Sequence, residues 1–195
     1  MAKKNQLTTS NPLPFDELTR FINRLCQDKE YQWAMYVQLS FCTACRASDV
    51  LKMRWKDVLG VPSITIVEKK TKKPRKISFN PSVQQKFDEF WRALDCPDKE
   101  EYIMKSTHSD QPFTIQYINS KLKKFKWKYR LSIENFSTHT FRKTFGRYVY
   151  ESNNRSAESL ILLNKILNHT SIQTTKTYIG ITQEEVDGIF ASISL

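Results

Sequence analysis

The 195-residue chain has only four glycines, and it contains no internal repeat or low-complexity tract. Folds that depend on many glycine turns, such as all-β folds and glycine-loop nucleotide-binding folds, are therefore disfavoured. Its four cysteines are too few for a disulfide scaffold, and Cys42 and Cys45 lack the second close pair that a zinc site needs. We expect reduced thiols, no bound metal and no cofactor.

Long apolar runs are also missing. The first six residues have no apolar signal-peptide core, and no stretch of the sequence is long enough to span a bilayer. We therefore expect a cytoplasmic protein with no membrane partner.

Basic residues, by contrast, are in excess. Lysine and arginine outnumber aspartate and glutamate by 31 to 20, which gives a formal net charge of +11. Such a charge favours a polyanionic partner that is bound in a salt-dependent way, and double-stranded DNA is the leading candidate. Solubility or attraction to an anionic membrane would use the same charge, but no basic amphipathic segment has a broad apolar face.

Apolar residues at helical spacing dominate the chain, whereas isoleucines alternate only around a basic segment at 69–76. We expect one domain, mainly α with a small antiparallel β-sheet (α+β), over residues 13–195. Residues 1–12 are polar and are predicted to be a flexible lead-in. Helices are predicted over 15–25, 33–41, 83–94, 114–128, 141–150, 159–167 and 182–193, with a short helix starting near 48 and a hairpin over 63–79.

A set of side chains in separate segments is suited to attack on a phosphodiester without a metal. A phenol with an ordinary pKa near 10 is ionised in roughly one molecule in a thousand at neutral pH, so a tyrosine nucleophile needs cationic neighbours or a base. Arginine offers a planar fork that fits two phosphate oxygens. The candidate catalytic residues are Arg46, Lys70, His139, Arg142, His169 and Tyr178.

Spacing gives several of these residues a position. His139 and Arg142 are three positions apart, so one helix face presents both to the same phosphate. Arg46 lies at or just before a helix start. Lys70, at the hairpin tip, is suited to donate a proton to the departing 5′ oxygen, although Lys69, Lys72 and Lys73 have the same chemistry.

A second basic segment lies at 121–130, where lysines alternate with aromatic residues. Contact with a phosphate backbone and a merely solvated helix face are about equally supported there. We expect the aromatic side chains to pack into the core, because intact duplex DNA offers no unstacked base faces. The candidate DNA-binding residues are Lys69, Lys72, Lys73, Arg75, Lys123, Lys124 and Lys126.

These motifs, in this order, resemble the catalytic domain of the tyrosine recombinases, or phage integrase family, across roughly residues 13–195. RASDVLKMRWKD at 46–57 resembles the first arginine box, with Asp49 where an acid braces the arginine. Lys70 followed by threonine is similar to the catalytic lysine of the family, and HTFR at 139–142 resembles its HxxR box. His169 and Tyr178, nine positions apart, resemble the segment of the second histidine and the nucleophile.

The resemblance implies a mostly helical fold with a small three-stranded sheet. It also implies strand exchange through a 3′-phosphotyrosyl link, without ATP or a divalent metal, by a homotetramer that acts on two DNA duplexes through a Holliday junction. The helix after the tyrosine often docks on a neighbouring subunit in this family, and residues 182–195 are its counterpart here.

Two departures from the family pattern stand out. Ala44 and Asn168 occupy positions where the family commonly has glycine, so we expect altered loop packing without loss of activity. We also expect the usual N-terminal core-binding domain to be absent, as in a catalytic fragment, a short recombinase resembling the fimbrial-switch invertases, or a mobile-element remnant. A half-clamp of this kind is expected to bind DNA weakly.

Two other functions use similar parts. A type IB topoisomerase rejoins the original strand, and a non-cleaving regulator of a mobile element only binds DNA. The full set of nucleophile, arginines, lysine and histidines favours the cutting enzymes over the regulator.

Overall fold

The structure is a computed structural model that describes residues 10–67 and 74–181. Helices dominate this part of the chain, as predicted. They are α1 (Phe15–Gln27), α2 (Tyr31–Thr43), α3 (Ala47–Val50), α4 (Pro81–Ala93), α5 (Ile115–Lys128), α6 (Thr138–Ser152), α7 (Ala157–Leu167) and α8 (Ile172–Ile179), with a 3₁₀ turn at Trp55–Asp57.

The sheet consists of strands β1 (Ser63–Val67) and β2 (Pro74–Ser78), which pair antiparallel with Ile66 opposite Arg75. The mainly helical α+β fold is thus confirmed. Two strands, rather than the three that the resemblance implies, form the sheet within residues 10–67 and 74–181. Across the same residues, no helix combines the length and the apolar character that crossing a membrane requires.

Helix α2 is the centre of the main core. It contacts α1, α4 and α6, and its residues 33–37 are all buried. A second, smaller apolar cluster forms where α7 and α8 meet the end of α2, and it includes Leu163, Leu167 and Tyr178 together with Ala44. The candidate nucleophile therefore belongs to the packing of the C-terminal helices.

Helix α8 was not predicted. Its Thr-rich sequence has weak helix propensity and only eight residues. Two features offset this: a local N-cap, in which the Ser171 side chain accepts a hydrogen bond from the Thr174 backbone N–H at 3.1 Å, and the burial of Thr175, Tyr178 and Ile179 against the rest of the domain. The predicted helix at 182–193 lies outside the described residues.

The described part of the predicted lead-in is packed against the domain. The Asn11 backbone N–H donates to the carbonyl of Asn135 at 3.0 Å, and the Leu13 N–H donates to Thr144 Oγ1 at 2.9 Å. Ser10 is buried as well. Residues 10–12 therefore pack against the domain, and the rest of the predicted lead-in lies outside the described residues.

Candidate active site

Arg46 is the residue immediately before α3, as predicted. Helix α2 ends at Thr43, Ala44 reverses the chain with a left-handed backbone (φ 48°, ψ 29°), and Arg46 then takes an extended conformation. Asp49, in the first turn of α3, is 5% exposed, and its backbone N–H donates to the Arg46 carbonyl at 2.8 Å.

Ala44 and Asn168, the two positions where the family commonly has glycine, both adopt this left-handed conformation. Each caps the C-terminal end of a helix, Ala44 that of α2 and Asn168 that of α7 with φ 50°. A left-handed alanine costs roughly 1–2 kcal/mol, whereas asparagine tolerates the conformation better. Both turns are therefore formed without glycine.

Arg142 is almost wholly buried on α6, with 3% exposure. Its Nη1 donates to the Ala44 carbonyl, and its Nη2 donates to the Leu167 carbonyl at 2.6 Å. These carbonyls lie at the C-terminal ends of α2 and α7, where carbonyls lack intrahelical donors and the helix dipole is negative. Arg142 thus ties the loop of Arg46 to the turn of His169 with two of its five N–H groups.

His139 lies one helical turn before Arg142 on α6. Burial, and then the positive charges of Arg142, Lys143 and Arg46, lower the pKa of His139 from 6.5 to about 4. The imidazole is therefore neutral at pH 7. Three cations that act on one ring mark a region of positive potential that suits an anion.

His169 follows the end of α7 and lies against Tyr178. The two rings meet edge to face, with centroids 4.8 Å apart. His169 Nδ1 is 3.1 Å from Thr175 Oγ1, and Asn164 Nδ2 donates to the same hydroxyl oxygen at 3.1 Å. The orientation of this imidazole is therefore fixed by α7 and α8 together.

Tyr178 lies in the last turn of α8 and is 7% exposed. Burial raises the pKa of its phenol, while the positive charges of Arg142 and Arg46 lower it. The predicted cationic surroundings of the candidate nucleophile are therefore present, although burial is the larger of the opposing influences on its pKa.

Lys143 is a residue of the site that the sequence analysis missed. Its Nζ lies 5.2 Å from the ring centroid of Tyr178 and donates to the Ser10 carbonyl at 2.6 Å. Burial lowers the pKa of this lysine. The signal available in the sequence was its position directly after Arg142 in the HxxR box.

Arg75, predicted to contact DNA, is directed inward instead. Its Nη1 donates to the Ile166 carbonyl at 3.1 Å, and its Nη2 donates to the Thr43 carbonyl and Cys45 Sγ, both at 2.8 Å. It is half-buried because the neighbouring helix ends supply acceptors that a sequence pattern does not reveal. The hairpin-tip lysines, namely Lys69, Lys70, Lys72 and Lys73, lie outside the described residues.

The lysines of α5 differ in their surroundings. Lys123 and Lys124 are exposed, whereas Lys126 Nζ donates to the Glu134 carbonyl at 2.8 Å. Among the interleaved aromatic residues, Phe125 and Tyr129 are buried as predicted. The prediction was wrong for Trp127, which is 79% exposed because it lies on the outer face of the helix.

Within the described ranges, no three histidine, cysteine, aspartate or glutamate side chains are grouped so that they could hold a metal ion.

The site brings together Arg46, His139, Arg142, His169 and Tyr178, with Lys143 added.

The fold is shared with solved site-specific recombinases and integrases. XerH recombinase bound to palindromic difH in a post-cleavage complex matches with a TM-score of 0.70 at 19% identity, over 96% of this chain and 54% of that one. XerA recombinase matches at 0.71 and 18%, over 96% and 66%. The Tn1549 transposon integrase in complex with circular-intermediate DNA matches at 0.68 and 18%, over 98% and 68%. The chain thus spans about half to two thirds of the length of these proteins.

Sequence relationships agree with the fold. The profile of the phage integrase family matches residues 11–185. Over 142 residues the chain is 34% identical to the probable integrase/recombinase YoeC of Bacillus subtilis (strain 168), which covers 73% of this chain and 74% of that protein. The chain therefore belongs to the phage integrase family, the class of the tyrosine site-specific recombinases.

Proposed function

We propose that this chain cleaves and rejoins DNA strands as a site-specific recombinase, through a 3′-phosphotyrosyl intermediate with Tyr178 as the nucleophile. The supporting observation is the convergence of three segments on one phenol. The His169 ring contacts the Tyr178 ring at 4.8 Å between centroids, and both Arg142 and Arg46 are near enough to lower the pKa of Tyr178.

The phosphate is the part of DNA that this site is suited to hold. Arg46 and Arg142 would bind the two non-bridging oxygens of the scissile phosphate, and His139 and His169 would add hydrogen bonds. Preorganised donors of this kind are worth roughly 3 kcal/mol each as charge grows on the phosphate. The bracing role of Asp49 fits its buried position one turn after Arg46.

The reaction then needs one bond formed and one broken. Tyr178 Oη attacks the phosphorus, and the bond between phosphorus and the 5′ oxygen breaks, so that its electron pair leaves with that oxygen. We assign the proton that this oxygen takes up to Lys70. In rejoining, a 5′ hydroxyl gives its proton to Lys70 as it attacks the phosphotyrosine, the bond between phosphorus and Tyr178 Oη breaks, and the released phenolate takes up a proton from His139.

The phenol proton of Tyr178 also needs an acceptor, and we assign this role to His139. The pKa of His139 is lowered to about 4 in part by Arg142, Lys143 and Arg46. A phosphodiester carries a negative charge that offsets these cations, so bound DNA would raise the pKa of His139. His139 would therefore become a stronger base only when substrate is present.

Wider contacts follow from the same proposal. Lys123 and Lys124 are exposed on α5 and are suited to touch the DNA backbone, so each should contribute to the salt dependence of binding. We also propose that residues 13–195 form one catalytic domain, that 182–195 mediate assembly of a homotetramer on DNA, and that the protein acts on DNA in the cytoplasm.

A nicked suicide duplex tests the chemistry. Such duplexes, built from the DNA that flanks the gene and carrying a nick beside the candidate cleavage position, trap the covalent intermediate because the short cleaved fragment diffuses away. The wild-type chain should give a protein–DNA adduct that survives denaturing electrophoresis in EDTA, and Tyr178→Phe should give none. The matched control is Tyr148→Phe, an exposed tyrosine on α6, which should react like the wild type.

Other outcomes separate the alternatives. Relaxation of supercoiled plasmid without any recombinant product would identify a nicking-closing enzyme of the type IB topoisomerase kind. DNA binding without an adduct on any flanking sequence, and with Tyr178→Phe indistinguishable from the wild type, would leave only a binding protein. Affinity that does not change between low and moderate salt would contradict DNA binding through phosphates.

A further inference from the structure

Arg75, on strand β2, forms hydrogen bonds with two segments that lead to candidate active-site residues. We propose that Arg75 is a positioning residue that fixes the Arg46 loop, the His169 turn and the hairpin relative to one another; this inference rests on the proposed function. Its Nη2 donates to the Thr43 carbonyl and Cys45 Sγ at 2.8 Å, and its Nη1 donates to the Ile166 carbonyl at 3.1 Å.

Arg142 binds the adjacent carbonyl in each of the same two segments. Arg75 takes those of Thr43 and Ile166, and Arg142 takes those of Ala44 and Leu167. All four carbonyls lie at the C-terminal ends of α2 and α7, where the two helix dipoles carry like partial charges that repel each other. Two guanidinium groups between them turn this repulsion into attraction and hold the helix ends side by side.

These contacts reach three segments that carry candidate catalytic residues. Thr43 and Cys45 are part of the loop that leads into Arg46, and Ile166 is three residues before His169. Arg75 itself is the second residue of β2, and the chain between β1 and β2 includes Lys70. One side chain therefore sets the separation between the arginine loop, the second histidine and the base of the hairpin.

This role differs from the DNA contact that the sequence suggested. Both terminal nitrogens of Arg75 donate to groups of the protein itself, and the side chain is half-buried. Its neighbour Lys76 is exposed on the opposite face of β2 and serves as a matched control. A phosphate contact releases counterions and so contributes to the salt dependence of binding, whereas a residue that acts by positioning does not.

The test compares Arg75→Met, Arg75→Lys and Lys76→Met in the full chain. DNA affinity is measured over a range of salt, and the rate of adduct formation is measured on the nicked suicide duplex at saturating DNA. Arg75→Met should keep the affinity and salt slope of the wild type but lose roughly 100-fold in adduct rate, the cost of misplacing reacting groups by about 1 Å. The adduct rate of Arg75→Lys should lie between the rates of the wild type and Arg75→Met. The ammonium group keeps the charge but lacks the fork that bridges two carbonyls. Lys76→Met should keep the wild-type rate.

Two results would overturn the inference while leaving the proposed function standing. One is an Arg75→Met chain whose salt slope falls by about one while its rate at saturating DNA is unchanged, which is the behaviour of a phosphate contact. The other is unchanged binding and unchanged rate. If Arg75→Met lacks a cooperative thermal transition, Arg75→Lys is judged by the same criteria. Absence of an adduct from the wild-type chain would refute the proposed function, and this inference with it.

Discussion

The buried imidazole of His139 should make the stability of the protein fall in mild acid. The pKa of His139 is lowered from 6.5 to about 4, first by burial and then by Arg142, Lys143 and Arg46. In the unfolded chain this histidine regains its ordinary pKa. As the pH falls below 6.5, the unfolded chain is therefore protonated at this site before the folded chain is.

The sign and size of the effect follow from this difference. Where the unfolded state binds more protons, the free energy of unfolding decreases as the pH falls. The decrease begins near pH 6.5, continues to about pH 4 and levels off below it. The gap between the two pKa values of His139, 6.5 and about 4, corresponds to roughly 3 kcal/mol. This contribution of His139 is a large share of the free energy of unfolding of a typical domain, which is roughly 5–15 kcal/mol.

Urea titrations from pH 7.5 to 4.5 measure this directly. Carboxylates also titrate in acid, so the informative quantity is the difference between the wild type and His139→Gln, which has the same carboxylates. The wild type should lose about 2 kcal/mol more than His139→Gln between pH 7 and 4.5. His108→Gln, at an exposed turn, should follow the wild type. A wild type and a His139→Gln variant whose stabilities run parallel over the whole range would refute the reasoning.

Three further substitutions test the surroundings of Tyr178. Lys143→Met removes one of the cations beside His139, so NMR titration should find a higher pKa for that imidazole, still below 6.5 because burial is the largest cause of the shift; an unchanged pKa would contradict this. Thr175→Val should slow adduct formation roughly 10-fold, because it removes the hydroxyl that orients His169 and leaves the Asn164 amide unpaired. The control Thr177→Val, on the exposed face of α8, should leave the rate of adduct formation unchanged. Equal rates for the two variants would be inconsistent with a role for Thr175. Gly146→Ala places a methyl group 2.6 Å from Ile179 Cγ2, so calorimetry should show a loss of about 1–3 kcal/mol, which Ile179→Leu should partly restore by moving the branch; a stable single variant would argue against this tight contact.

The sequence predicted the individual candidate residues because the signal for each of them is local. The RASD box places Arg46 at a helix start, the HTFR box places His139 and Arg142 on one helix face, and helical periodicity located most of the helices. What joins these boxes in space was supplied by the family resemblance. The grouping was therefore predictable without knowledge of individual contacts.

The contacts that bind the boxes together were not predictable. Arg75 resembles an exposed strand residue in the sequence, yet its partners are backbone carbonyls, which any sequence offers. Lys143 gave no polar-face signal because residues 141–144 of α6 are all buried. Helix α8 has a Thr-rich sequence whose helical state depends on tertiary burial. The role of Lys70 stays a prediction, since it lies outside the described residues.

The burial of Tyr178 also bears on how often the proposed reaction would cleave DNA away from its target. With only 7% of the residue open to solvent, a backbone phosphate that grazes the surface in a random collision does not reach the phenolic oxygen. Either the phosphate must be drawn inward or the short helix that bears the phenol must shift outward. Under the proposed function, DNA breakage would be limited to encounters that last long enough to reshape the pocket, and brief collisions with other DNA would leave both strands intact.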